Sequence, residues 1–188
     1  MDDKAGKPQA GLSTPPSRIR SVFLIGFMGA GKTSVGRALS QRLGWEFIDL
    51  DERIQDRRGR SIEEIFEQSG ESGFREVEHS SLKDLVAESD APPRVVALGG
   101  GAYIQTSNAE LLARNGMTVI FLDAPVEELF RRCRQEKAIR PLRRDIEHFR
   151  DLYEKRRPTY AKADLILDTN GKTIESLAEE LLKRLGLS

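Results

Sequence analysis

The chain has 188 residues, enough for one domain with a substantial core and too few for two ordinary ones. Its 30 Lys and Arg balance 30 Asp and Glu, so no general basic field draws it to nucleic acid and no acidic excess keeps it unfolded. Cys133, the one cysteine, excludes an intrachain disulfide and a thiolate metal cluster, and with no apolar leader and no membrane-length apolar run the chain reads as a soluble protein of the cytoplasm.

Residues 1–20 are rich in Pro, Gly, Ser and Lys without apolar periodicity, which predicts a disordered tail ahead of a single domain over 21–188. Val22-Phe23-Leu24-Ile25 reads as a buried strand and Ser34 to Leu43 as a helix. Between them Gly26-Phe27-Met28-Gly29-Ala30-Gly31-Lys32-Thr33 satisfies every position of G-x-x-x-x-G-K-[ST], the pattern of a phosphate-binding loop. Glycines let backbone N–H groups approach an anion, and the helix behind them turns its positive dipole end to the same place. The loop therefore predicts a site for ATP at Gly29, Ala30, Gly31, Lys32, Thr33 and Ser34. Lys32 reaches the outer phosphates and the Thr33 hydroxyl ligates Mg²⁺.

Trp45 to Asp49 reads as a second strand ending in Asp49-Leu50-Asp51. Continued strand alternation would put both aspartates on one face, Asp49 holding a Mg²⁺-bound water and Asp51 accepting from a substrate hydroxyl. The plainer reading of Asp51 is an N-cap for the helix that follows. Helical segments are expected around Asp51 to Arg57, Ser61 to Gln68 and Gly73 to Glu88. Arg75 falls in the first turns of the last one, where the dipole disfavours a cation. A ligand carboxylate gripped by its planar fork would explain it, and so would an ion pair with Glu78 one turn away.

Ala91-Pro92-Pro93 precedes a third strand, Arg94 to Leu98, which ends in Gly99-Gly100-Gly101, a run suited to close approach of a ligand or another segment. Met117 to Leu122 gives a fourth strand. Asp123 after it imitates a metal-binding aspartate, but capping the helix that begins near Pro125 is a sufficient role. The arginine-dense stretch from Arg131 and Arg132 to Arg140-Pro141-Leu142-Arg143-Arg144 reads either as a mobile lid, about residues 132–145, that carries a cation to the γ-phosphate, or as a solvated face. A short fifth strand, Leu165 to Leu167, and a closing helix, near Ile174 to Leu185, complete the expected elements. Strands separated by helices predict a three-layer α/β/α sandwich on a parallel sheet, with the phosphate loop, Asp49, Asp51, the glycine run and Asp123 at one rim.

Taken in order, the phosphate loop, Asp49-Leu50-Asp51, Ser61-Ile62-Glu63-Glu64-Ile65-Phe66, Gly70-Glu71 with Phe74-Arg75-Glu76-Val77-Glu78, Gly99-Gly100-Gly101-Ala102, Arg140-Pro141-Leu142 and Arg156-Arg157-Pro158-Thr159-Tyr160 resemble the shikimate kinase family. That family lies in the nucleoside monophosphate kinase branch of phosphate-loop proteins. The resemblance implies transfer of the γ-phosphoryl group of ATP to the 3-hydroxyl of shikimate, on the route to aromatic amino acids. It also implies roles: Lys32, Asp51 and Arg140 catalytic, Arg75 and Arg156 clamping the substrate carboxylate, Asp51 on the ring hydroxyls, Gly100 as a backbone contact, Arg140 on the transferring phosphate and Arg132 stacked on adenine. Gln55-Asp56 after Ile54 and Tyr103 after the glycine run depart from the family pattern without touching these roles.

Two other functions fit parts of the chain. A kinase for another polyol acid such as gluconate shares the loop and fold but has no use for this arginine pair. A ligand sensor on a kinase fold has no need of the loop, Asp51 and Arg140 together. A monomer that binds small molecules, and neither nucleic acid nor membrane, is the expected state.

Overall fold

The computed structural model describes residues 19–88, 90–135 and 146–187. Residues 1–18 of the tail expected over 1–20, and residues 136–145 of the segment expected as a lid, Arg140 among them, lie outside the described residues.

Five strands, β1 Ser21–Ile25, β2 Glu46–Asp49, β3 Arg94–Ala97, β4 Thr118–Asp123 and β5 Leu165–Asp168, form one sheet in the order β2-β3-β1-β4-β5. All pair in parallel, with Phe23 of β1 opposite Val96 on one side and Val119 on the other. The central strands read as apolar runs because both of their faces are covered: Val22 to Ile25, Val95, Val96 and Val119 to Leu122 are all buried. The covering helices are α1 Lys32–Leu43, α2 Leu50–Arg58, α3 Ile62–Ala87, α4 Thr106–Arg114, α5 Val126–Gln135, α6 Ile146–Tyr160 and α7 Ile174–Leu185. Leu39 of α1, Leu82 and Leu85 of α3, Phe149 of α6 and Leu181 of α7 contribute to the core.

Strand order decides where a ligand fits. The chain leaving β1 runs to β2 on one side of it, whereas the chain leaving β3 runs to β4 on the other. Loops that part in opposite directions leave a crevice at the carboxyl ends of those two neighbours. The phosphate loop after β1 and the glycine run after β3 border that crevice together. Leu98 N–H donates to Leu24 O at 3.0 Å, and a Cβ added at Gly100 would stand 3.7 Å from Gly26 O.

Several local readings change. The extended chain stops at Asp49, whose side chain accepts from Asp51 N–H and caps α2, so Asp51 lies inside the helix. The two helical segments expected around Ser61 to Gln68 and Gly73 to Glu88 are both present and run together across a kink as α3, the first opened by a capping box between Ser61 and Glu64. Gly70 inside it has φ 68° and ψ −176°, a region only glycine occupies readily, so the chain kinks and the helix resumes. The short 3-10 turn Ala102–Ile104, α4 and α6 have no individual counterpart in the sequence reading.

Candidate active site

The loop after β1 owes its shape to three glycines with positive φ: Gly26 at 150°, Gly29 at 77° and Gly31 at 86°. Two are also demanded by space. A Cβ at Gly26 would stand 2.6 Å from Leu122 O, and one at Gly29 would stand 2.6 Å from Leu129 O and 3.0 Å from Cys133 Sγ. The loop is thus seated on β4 and α5. Gly31 occupies the N-cap of α1 with no capping side chain, which leaves the first-turn N–H groups for an anion. Lys32 Nζ folds back over the loop and donates to Gly26 O at 2.9 Å and Phe27 O at 3.1 Å. Ala30 is buried within the loop and Ser34 is exposed beside it.

Thr33 Oγ1 donates to Asp49 Oδ2 at 2.9 Å, while Asp49 Oδ1 accepts from Asp51 N–H at 3.1 Å. Asp49 therefore joins the loop to α2. Thr33 and Asp49 together present hard oxygens at the mouth of a phosphate cradle, a donor type suited to Mg²⁺ that keeps most of its waters. Asp51 reaches the crevice from the first turn of α2, not by strand alternation. A Cβ at Gly99 would come within 2.8 Å of Asp51 Oδ1 and 3.2 Å of Glu78 Oε1, so the two carboxylates converge on the glycine run.

Arg75 approaches the same run from α3. Its Nη1 donates to Glu78 Oε2 at 2.8 Å and its Nη2 to Glu71 Oε1 at 3.3 Å. The ion pair that competes with ligand binding as the explanation of Arg75 is thus formed. It also aims the fork, because a Cβ at Gly101 would collide with the guanidinium. Glu78 is 1% exposed; burial pushes its carboxyl up, Arg75 draws it back down, and Asp51 adds a further upward push. From α6, Arg156 Nη1 donates to Gly100 O at 3.4 Å and lies over the Phe27 ring. Tyr160 OH donates to the same carbonyl.

Arg132 stands apart from this group. Its Nε donates to Glu128 Oε1 at 2.7 Å, and Nη1 and Nη2 to Thr169 Oγ1 and O at 3.0 Å each. Arg131 and Arg132 hold the Glu128 carboxyl down to about 2. With Gly29, Ser34, Thr169 and Ile174 they line a cavity of about 490 Å³ running away from the loop. The rim therefore has a phosphate cradle in the middle, a crevice with two carboxylates and two arginines on one side, and an arginine-lined cavity on the other.

A family model described as shikimate kinase matches residues 28–186. The chain belongs to the shikimate kinase family. A shikimate kinase of Geobacter metallireducens is 43% identical over 169 residues, covering 88% of this chain and 92% of its own. One of Persephonella marina is 36% identical over 167 residues, covering 89% of this chain and 99% of its own. The solved shikimate kinase from Acinetobacter baumannii in complex with shikimate superposes with a TM-score of 0.81 at 37% identity, over 90% of this chain and 94% of that one.

Around this shikimate kinase site, the structure adds partners that the sequence reading did not supply. Asp123, expected to cap α5, is held instead by α6: Tyr153 OH donates to Oδ1 at 2.8 Å, and Arg157 Nη2 and Nε donate to Oδ2 at 2.7 and 3.1 Å. The first turn of α5 bonds to Pro125 O. Neighbouring arginines of one motif thus separate, Arg157 to Asp123 and Arg156 to the crevice. Tyr160 and Gln105 act on the glycine run and on Glu78. Tyr160 stood within a recognised motif, but nothing local marked Gln105.

Proposed function

We propose that the protein is an ATP-dependent shikimate kinase that transfers the γ-phosphoryl group of ATP to the 3-hydroxyl of shikimate, giving shikimate 3-phosphate and ADP for aromatic amino-acid synthesis. The observation that carries this reading is the convergence of Asp51, Arg75 and Arg156 on Gly99–Gly101, beside the phosphate loop. A compact polyol acid needs a cationic clamp at its carboxylate and an acceptor at its reactive hydroxyl, held in line with the phosphoryl group. Arg75 and Arg156 are the clamp, the backbone at Gly100 is a further contact, and Asp51 orients the hydroxyl and accepts its proton.

On the nucleotide side the N–H groups of Gly29 to Ser34 cradle the phosphates and Lys32 exchanges its carbonyl partners for phosphate oxygens. Arg132 borders the cavity that takes the adenine. Thr33 and, through a water, Asp49 would hold Mg²⁺, which when bound would neutralise phosphate charge. Phosphoryl transfer is then chiefly positioning plus charge stabilisation by Lys32 and Arg140, with a lid over about 132–145 excluding water. The protein acts as a cytoplasmic monomer on small molecules; among the described residues no helix is long and apolar enough to cross a membrane.

ADP release from the purified protein with MgATP, measured alone and with shikimate, gluconate or quinate, tests the reading. Turnover that depends on shikimate is expected; selective turnover of gluconate overturns the substrate, and ATP binding without stimulation by any of the three overturns the enzyme. Arg140→Ala is expected to lower kcat about 100-fold or more, with shikimate KM nearly kept, because a group that meets the transferring phosphate contributes mainly in the transition state. A large rise in KM with kcat intact would remove Arg140 from that role.

A further inference from the structure

Gln105 links the 3-10 turn to α4, and its backbone is committed at both ends. Its N–H donates to Ala102 O at 3.3 Å, and its carbonyl accepts from Asn108 and Ala109 N–H at 3.0 and 3.1 Å. It stands at the N-cap of α4, where Ser, Thr, Asp or Asn ordinarily turns a side-chain oxygen back onto the helix. Here no side-chain cap is made. The amide instead crosses to α3, where Gln105 Nε2 donates at 2.5 Å to Glu78 Oε2, the oxygen that also receives Arg75 Nη1. A helix that gives up a capping bond for one to a buried carboxylate breaks a local rule, and such breaks concentrate at functional sites.

We propose that Gln105 is a positioning residue for the substrate clamp: by donating to Glu78 it keeps that buried carboxylate charged, so that Glu78 holds the Arg75 fork aimed across the glycine run. The inference rests on the shikimate kinase reading for the identity of what Arg75 grips. Glu78 is the weak point of the clamp. The groups facing it are Arg75 from its own helix, with Glu71 behind that guanidinium, Asp51 from α2, and Gln105 from the start of α4; Arg156 and Tyr160 of α6 stand one residue along the glycine run, at Gly100 O. Burial and the like charge of Asp51 both favour the protonated acid, which would give up its ion pair. A neutral donor opposes protonation without displacing Arg75 from Glu78, as a second cation in that place would. The same bond ties the glycine run and the clamp to one another, because Gln105 follows Gly101 by four residues.

The test uses two substitutions with opposite expected signs. Gln105→Met keeps the length and removes the donor; Gln105→Lys supplies a charged one. In unliganded protein, NMR titration of the Glu78 carboxyl carbon, assigned by its loss in Glu78→Gln, is expected to move to higher pH in the Met variant and to lower pH in the Lys variant. Shikimate KM at neutral pH is expected to rise about tenfold in the Met variant, the worth of one hydrogen bond to a charged group, with its acid limb displaced upward and MgATP KM unchanged. Loss of a merely structural contact would not move the titration in opposite directions. An unchanged Glu78 titration, or an equal effect on both substrates, overturns the proposal. If the unsubstituted protein turns over no shikimate, the functional reading fails, while the Glu78 titration needs no substrate and still decides the role of Gln105.

Discussion

Arg75 and Glu78 form an ion pair whose geometry is compatible with the proposed clamp. The bond to Glu78 at 2.8 Å fixes one edge of the guanidinium, and the planar fork leaves other N–H groups for a ligand carboxylate. Arg75→Ala is therefore expected to raise shikimate KM about 100-fold, the loss of a paired charged contact, and also to lower the melting temperature by leaving Glu78 buried without its cation. A normal KM in a folded variant would reduce Arg75 to its ion pair. The pH dependence has a definite sign. The Glu78 carboxyl is raised above its ordinary 4.5 because burial outweighs Arg75 and Gln105. As pH falls through that raised value Glu78 gains a proton and releases Arg75, so kcat/KM for shikimate declines on the acid side before an ordinary glutamate would protonate. For Glu78→Gln that limb is expected to vanish, leaving a lower and flatter profile; a limb that survives would belong to another group.

At the scale of elements, α3 depends on its kink. Its first half is opened by the capping box and packs Phe66 on Phe74 with ring centroids 4.5 Å apart, while its second half carries Arg75 and Glu78 to the glycine run. Gly70 lies between the halves and no atom lies within 4 Å of where its Cβ would be, so the only demand on it is conformational. Gly70→Ala is expected to cost about 1–3 kcal/mol, the strain of a side chain in that region of φ and ψ, read as a lower urea midpoint at constant slope. Equal stability would mean that the helix simply straightens, and shikimate KM would then register the displaced Arg75. The docking of α6 works differently, through Tyr153 and Arg157 on Asp123 and Tyr160 on Gly100 O. Those bonds orient Arg156 without using it.

Across the whole molecule, the three tyrosines are all buried, Tyr103 in the 3-10 turn and Tyr153 and Tyr160 on α6. Burial pushes Tyr153 and Tyr160 up to about 12, and pushes Tyr103 upward as well, from the ordinary 10.0. All three therefore remain hydroxyl donors through the pH range in which the protein works. An unfolded chain ionises its tyrosines near 10, whereas the folded one keeps those protons to higher pH. The contribution of Tyr153 and Tyr160 to stability is accordingly complete below pH 10 and is lost as pH rises through about 12, and that of Tyr103 is lost in the same direction. Absorbance at the tyrosinate band is expected to stay flat through the ordinary range and then rise together with loss of helical circular dichroism. Ionisation of any one tyrosine at its ordinary value in folded protein would contradict this packing.

The sequence alone determined the phosphate loop, the parallel α/β order and the arginines worth watching, because each rests on local information: residue spacing, apolar runs, and a cation where a helix dipole disfavours one. It also placed Asp49 and Asp51 at the rim of the phosphate loop, although Asp51 reaches that rim from a helix turn that the strand reading did not foresee. Tertiary structure alone decided which carboxylates are buried, that Asp123 belongs to Tyr153 and Arg157, and that Gln105 meets Glu78. Those partners lie 27 to 34 residues apart, and burial and long-range partnership arise from the packing of layers, which leaves no periodic mark on the chain.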